Sequence, residues 1–186
     1  GLGLTAYAVI AGSLVIALVI GTLIGRETLQ LPELTDTTRT PRQLTANPLE
    51  DAVVSAAISP DGRYLAYADS LGLSLRLVES GETHPLALPD GFQIREIDWF
   101  PDGAQLLLSA TVSDVTSLWK LAIVGGQPRK IQNRAFRAAV SPDGTQIAYL
   151  STTFPRSEIY LMGAEGEDAS KLVDAGDNSL VWELAW

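Results

Sequence analysis

The sequence predicts an all-β fold, a partial β-propeller of three four-stranded blades plus the start of a fourth, preceded by one transmembrane α-helix. Two observations carry that reading. One turn motif occurs three times, as Ser59-Pro60-Asp61-Gly62, Phe100-Pro101-Asp102-Gly103 and Ser141-Pro142-Asp143-Gly144, at a spacing of 41 residues. Each copy leads into a short apolar strand-like run, and turn motifs repeating at about 40 residues mark propeller blades. The second observation is an uncharged apolar stretch from Gly1 to Gly25.

Within that stretch, Leu4 to Ile24 carries no charge, and Arg26 and Glu27 close it. About 20 apolar residues are needed to cross the hydrocarbon core as a helix, so residues 1–25 are expected to contact the lipid bilayer. A secretory signal peptide is the competing reading. It would need a basic flank, a shorter core and a small-residue cleavage site; no basic residue precedes the segment. Ala17, Gly21 and Gly25 recur every four residues and place small side chains on one helix face, which would let two copies pack as a homodimer. The plainer explanation is that glycine and alanine are common in membrane helices.

Residues 26–41 read as an extended linker, rich in proline and threonine and without apolar periodicity. Residues 42–186 hold the repeats, with blades over about 42–89, 90–131 and 132–173 and a partial one over 174–186. In the first repeat Val53–Ile58 is a β-branched and small apolar run suited to a buried inner strand. The Ser-Pro-Asp-Gly turn follows: proline presets its φ, aspartate caps, and glycine takes the left-handed end position. Arg63–Ala68, Ser74–Val78 and Thr83–Leu88 supply the next three strands. The second repeat runs through Ile94–Trp99, Gln105–Ala110, Ser117–Val124 and Pro128–Ile131. The third runs through Phe136–Val140, Gln146–Ser151, Glu158–Gly163 and Lys171–Val173. A fourth begins at Ser179, and Trp186 occupies the place that Trp99 holds before its turn.

The chain opens on Gly1 without an initiator methionine and stops one residue before an expected turn, so it reads as a fragment cut at both ends. Propellers close with four to eight blades, and residues 42–186 alone are expected to aggregate through open blade faces and a free strand edge.

The run Leu44-Thr45, a loop, then Ala57-Ile58-Ser59-Pro60-Asp61-Gly62-Arg63-Tyr64-Leu65-Ala66-Tyr67 resembles the TolB-like, WD-type propeller repeat. Ile159 to Gly166 is similar to that family's third strand and following turn. The resemblance covers Arg42 to Trp186, with Phe100 departing from the serine of the turn. A membrane helix followed by Arg42-Gln43-Leu44-Thr45 and such blades also resembles a group of single-pass bacterial signalling proteins. In that group a cytoplasmic serine/threonine kinase or winged-helix DNA-binding domain precedes the helix, and the propeller lies outside the cytoplasmic membrane. The resemblance implies a sensor or protein/peptide-interaction module on the periplasmic side, with Arg42–Thr45 as the outer strand closing the last blade. Two alternatives share the repeat: the substrate-gating propeller of a membrane-anchored prolyl-oligopeptidase-type peptidase, and a secreted TolB-like periplasmic protein.

No residue pattern points to chemistry, and neither a catalytic residue, a cofactor nor a metal is expected in this chain. Net charge is -9, which opposes binding to nucleic acid. There is no cysteine, and His84 is the single histidine, so neither a zinc site nor a Ser-His-Asp arrangement is suggested. Asp61, Asp102 and Asp143 could form a ring of carboxylates, but each is expected to cap its own turn. Glu50, Asp51 and the Glu165-Glu167-Asp168 group lack calcium-loop spacing. Trp99, Trp119, Trp182 and Trp186 are expected in blade packing, and an exposed one among them would mark a binding surface.

Overall fold

The computed structural model describes residues 43–45, 51–151, 158–174 and 184–186. The apolar segment, its Ala17, Gly21 and Gly25 face, and the linker lie outside the described residues. Among the described residues no helix is long and apolar enough to cross a membrane.

The architecture is three separate sheets of four antiparallel strands. The first holds β1 (Ser55–Ile58), β2 (Tyr64–Asp69), β3 (Gly72–Leu77) and β4 (Thr83–Leu86). The second holds β5 (Gln93–Trp99), β6 (Gln105–Val112), β7 (Val115–Ala122) and β8 (Arg129–Asn133). The third holds β9 (Ala135–Val140), β10 (Gln146–Ser151), β11 (Glu158–Gly163) and β12 (Ser170–Asp174). In each, strands follow one another in chain order, a meander in which every strand pairs with its predecessor. β1 contacts β5 and β5 contacts β9, so the first strands of the blades converge. This is a partial propeller arc.

Strand bounds differ from the pattern reading most in the second blade. There β6 and β7 extend to a two-residue hairpin at Ser113-Asp114, both in the left-handed region at φ 49° and 62°. Neither residue is glycine, so the composition offered no sharp sign of a turn that needs positive φ. Gln43–Thr45 form no strand; Arg42, and the last blade that Arg42–Thr45 is expected to close, lie outside the described residues. β1 is also less buried than expected, with Ile58 54% exposed. An inner strand is covered from both sides by neighbouring blades, and among the described residues β1 has a blade on one side only.

Two apolar clusters lie between the blades. The first joins Ala66, Ala68, Leu73 and Leu75 to Ile94, Ile97, Trp99, Leu106, Leu108, Ala110 and Leu121. The second joins Phe100, Leu107 and Leu118 to Ala135, Val140, Ile147, Tyr149 and Met162. The middle blade is thus buried on both faces. Strand alternation explains how β6 serves both: Leu106, Leu108 and Ala110 point one way and Leu107 the other. A strand covered on both sides needs the near-continuous apolar run that Leu106-Leu107-Leu108 provides.

Trp99 ties the first two blades together. Its ring is buried, and Nε1 donates to the Ala57 carbonyl at 2.9 Å. Trp99→Phe keeps most of the apolar area but removes the hydrogen bond that joins the two blades. The substitution is expected to lower stability by about 1–3 kcal/mol, read as a shifted urea midpoint with unchanged slope.

Candidate functional site

The three repeated turns stack along one end of the arc. In the first, Gly62 N donates to Ser59 O at 2.8 Å and Ser59 N to Tyr64 O at 2.8 Å. Ser59 Oγ donates to Asp61 Oδ1 at 2.6 Å and accepts from Tyr64 N at 2.9 Å, while Arg63 N also donates to Asp61 Oδ1. The third turn repeats each of these bonds through Ser141, Asp143, Thr145 and Gln146. Thr145 Oγ1 adds another donor to Asp143. In the second turn Ala104 N donates to Asp102 Oδ1 at 2.9 Å, and Phe100 sends its ring into the second apolar cluster. Pro60 faces Gly103 and Pro101 faces Gly144: a Cβ on Gly144, which sits at φ +74°, would come 3.3 Å from the Pro101 ring. Proline and glycine therefore also set the spacing between successive turns.

The three aspartates each serve their own turn. The Ser59 hydroxyl, then the Arg63 amide, hold the Asp61 carboxyl below its usual range. The Ser141 hydroxyl and the Thr145 amide and hydroxyl hold Asp143 down at about 2. These are short-range donors to the charged form, which favour ionisation.

A different arrangement lies where the inner strands converge. There a groove of about 590 Å³ is lined by Ser55, Glu96, Ile97, Asp98, Arg137 to Val140, and Leu184 to Trp186. Ser55, Glu96 and Arg137 occupy the same repeat position, four residues before each turn. The three blades thus present a hydroxyl, a carboxylate and a guanidinium in sequence. Arg137 Nε lies 3.9 Å from Glu96 Oε1, and its guanidinium carbon sits 5.7 Å from the Phe136 ring centre. Both charged residues carry further interactions within the chain. Arg137 adopts φ 47° at an irregularity in the β9–β10 pairing. Trp186 is 55% exposed, and its Nε1 donates to Ala139 O at 3.0 Å, as Trp99 does to Ala57.

Asp98 reaches across the groove floor. Its Oδ2 accepts from Val140 N at 3.1 Å, and its Oδ1 accepts from Trp99 N at 2.8 Å. Ser55 Oγ accepts from Ile97 N at 3.0 Å. Both polar side chains link one inner strand to the next.

An ionic joint closes the outer side between the second and third blades. Lys120, only 9% exposed, donates to Glu165 Oε1 at 2.6 Å and stacks 4.2 Å from the Phe100 ring centre. Arg129 pairs with the other oxygen of Glu165. The Lys120 hydrogen bond leads in holding the Glu165 carboxyl below its ordinary value, with Arg129 adding to it. Gln132 Nε2 donates to the Tyr149 hydroxyl at 2.7 Å in the same seam. Burial pushes the Tyr149 phenol up. The Gly163–Gly166 turn approaches β8 so closely that a Cβ on Gly166 would lie 2.3 Å from Ile131 O.

The other residues singled out from the sequence scatter over the blades. His84 is an exposed residue of β4 whose Nε2 lies 3.1 Å from Glu82 Oε1. Asp51 accepts from the Ser70 hydroxyl, and Glu167 Oε2 accepts from Glu165 N at 2.9 Å. Trp119 packs on Phe92 at 4.7 Å and beneath Lys130. Glu50 and Trp182 lie outside the described residues. Among the described residues no group of three or more His, Cys, Asp or Glu could hold a metal ion. The Ser55, Glu96 and Arg137 register was missed by sequence reasoning; aligning the repeats on their turns would have displayed it. The Lys120–Glu165 pair left no such signal, because its partners occupy unlike positions in different blades.

No protein-family model matches the chain. In sequence it is similar to the Tol-Pal system protein TolB of Anaeromyxobacter dehalogenans, 32% identical over 88 residues. That match covers 45% of this chain and 20% of TolB, so the chain spans about a fifth of that relative. Among solved structures, TolB from Acinetobacter baumannii superposes with a TM-score of 0.64 at 18% identity, covering 75% of this chain and 36% of TolB. A structure from a study of two prolyl endopeptidases gives 0.55 at 16% identity, over 71% of this chain and 23% of theirs. The fold is a TolB-like β-propeller fold.

The turns and the joint each lend themselves to a stability measurement. Asp143 titrates below its unfolded value, so its contribution is present above about pH 4 and lost as pH falls through about 2. Asp143→Asn is expected to be less stable at neutral pH and to show a flatter stability profile between about pH 4 and 2 in acid-denaturation curves. Gly166→Ala meets both a left-handed φ of 94° and the Ile131 carbonyl. It is expected to cost roughly 2 kcal/mol or more, measured by thermal unfolding.

Proposed function

We propose that this chain is a non-catalytic propeller module that binds a protein or peptide on the extracytoplasmic side of a bacterial membrane, using the groove between its inner strands. The observation that carries the reading is the groove itself. It gathers a carboxylate, a guanidinium and a hydroxyl from three successive repeats, with the Trp186 indole beside them, onto one concave surface. Charged and aromatic side chains on a rigid scaffold suit recognition of a polypeptide. The single histidine, His84, sits away from the groove on β4, the strand of its sheet farthest from β1. Similarity to TolB in both sequence and fold supports an interaction module over an enzyme.

Residues 1–25 supply the setting. Retained, they make this the outer propeller of a single-pass signalling protein with a cytoplasmic kinase or winged-helix domain. Cleaved, they leave a secreted TolB-like periplasmic protein, the setting that the TolB likeness favours. The likeness to prolyl endopeptidases supports the fold alone.

The test places a photo-cross-linking residue at Ala138, in the groove, and at Val124, an exposed side chain in the β7–β8 turn, in cells making the whole protein. A discrete protein adduct from Ala138 and none from Val124 is the expected outcome. Equal labelling from both positions argues against the groove. Sequencing the gene outward separates the settings: a kinase or winged helix upstream supports the tethered form. A Gly-x-Ser-x-Gly hydrolase downstream would sink both in favour of a peptidase gate.

A further inference from the structure

We propose that Arg137 is the specificity residue of the groove and that it holds a single carboxylate carried by an otherwise neutral or basic peptide. This rests on the groove being the binding surface and names the chemistry it selects.

Amide donors along the inner strands are already taken in the groove. Ile97 N is held by Ser55, and Trp99 N and Val140 N by Asp98. Adding a peptide as a further strand would require those groups. Asp98 is also committed, since each of its oxygens accepts a backbone amide. The other charged side chains lining the groove are Glu96 and Arg137. Arg137 Nε stands 3.9 Å from Glu96 Oε1, longer than a hydrogen bond. A guanidinium has five N–H donors in a planar fork, so a ligand carboxylate can share it with its existing partners.

The backbone supplies an independent observation. Arg137 sits at φ 47°, a conformation that disfavours any residue with a Cβ and that glycine adopts freely. It does so where the β9–β10 register shifts, and such bulges re-aim side chains beside functional sites. Glu96 and Ser55, at the same repeat position, are not among the residues with positive φ. A long cationic side chain held in that conformation on the groove wall fits a residue retained for what it contacts. The net charge of -9 limits the ligand: polyanions are repelled at long range, and one carboxylate at contact distance is not.

The carboxylate can be a chain terminus or an Asp or Glu side chain, and the experiment separates the two. The full chain in mild detergent is titrated with three short Ala/Leu/Lys peptides carrying an uncharged BODIPY label, followed by anisotropy. One has a free C-terminal carboxylate, one a C-terminal amide, and one the amide with a single internal Glu. The expected result is that a carboxylate-bearing peptide binds roughly tenfold or more tightly than the plain amide, and the peptide that does so identifies the source. Arg137→Gly is expected to melt no lower than the parent while binding all three alike. Arg137→Lys keeps the charge without the fork and should retain only part of the preference. If the glycine variant melts lower, Arg137→Lys decides: a fully retained preference overturns the assignment. Equal binding of amide and acids, abolished by Ala138→Trp in the groove, overturns the carboxylate while leaving the groove as the binding surface. Absence of saturable binding by any of the three overturns both.

Discussion

The first strand of every blade pairs with only one neighbour in its own sheet, leaving a row of amides and carbonyls along its other edge. The preceding repeat supplies acceptors to those amides, and the rest of the arc depends on it. Ile97 N meets the Ser55 hydroxyl and Val140 N meets the Asp98 carboxylate, while the indoles of Trp99 and Trp186 reach back as additional donors to the carbonyls of Ala57 and Ala139. Trp99 and Trp186 make the same link two repeats apart. Between them the task falls to Asp98, which stands in the repeat position of Ala57 and Ala139. One geometric demand is met by two chemistries, an indole donating to a carbonyl or a carboxylate accepting from an amide.

These links occupy amide donors along the inner strands and leave the groove lined by side chains. The groove is therefore a product of the packing. Its polar character arises because the position four residues before each turn faces inward in every repeat, and selection at three sites in the chain can vary it independently. Ser55, Glu96 and Arg137 show that independence.

Away from the axis, the joint between the second and third blades uses a different device. Lys120 is nearly buried between Phe100 and Glu165, and removing either partner would strand an ammonium where water is scarce. Phe100 occupies the place of a turn serine, so the second turn lacks the hydroxyl that Ser59 and Ser141 provide. What the turn loses in hydrogen bonding, the blade interface gains as an aromatic face for the lysine.

The blade itself was legible in the chain: the 41-residue recurrence of Pro-Asp-Gly turns, the period-two runs Arg63–Ala68 and Ser74–Val78, and the apolar run within Gln105–Ala110. All are local, because a turn type and a strand period are written in adjacent residues. The Ser113-Asp114 hairpin was less legible, since nothing in those two side chains demands positive φ. Whether Gln43–Thr45 pair as a strand was not legible at all, because an outer strand exists only where a sheet edge is free to receive it. Folding in three dimensions was needed to put Ser55, Glu96 and Arg137 on one concave wall, to span Asp98 to Val140, and to bring Lys120 to Glu165. Those contacts join residues about 40 positions apart, and only the angle at which one blade follows the next brings them within reach.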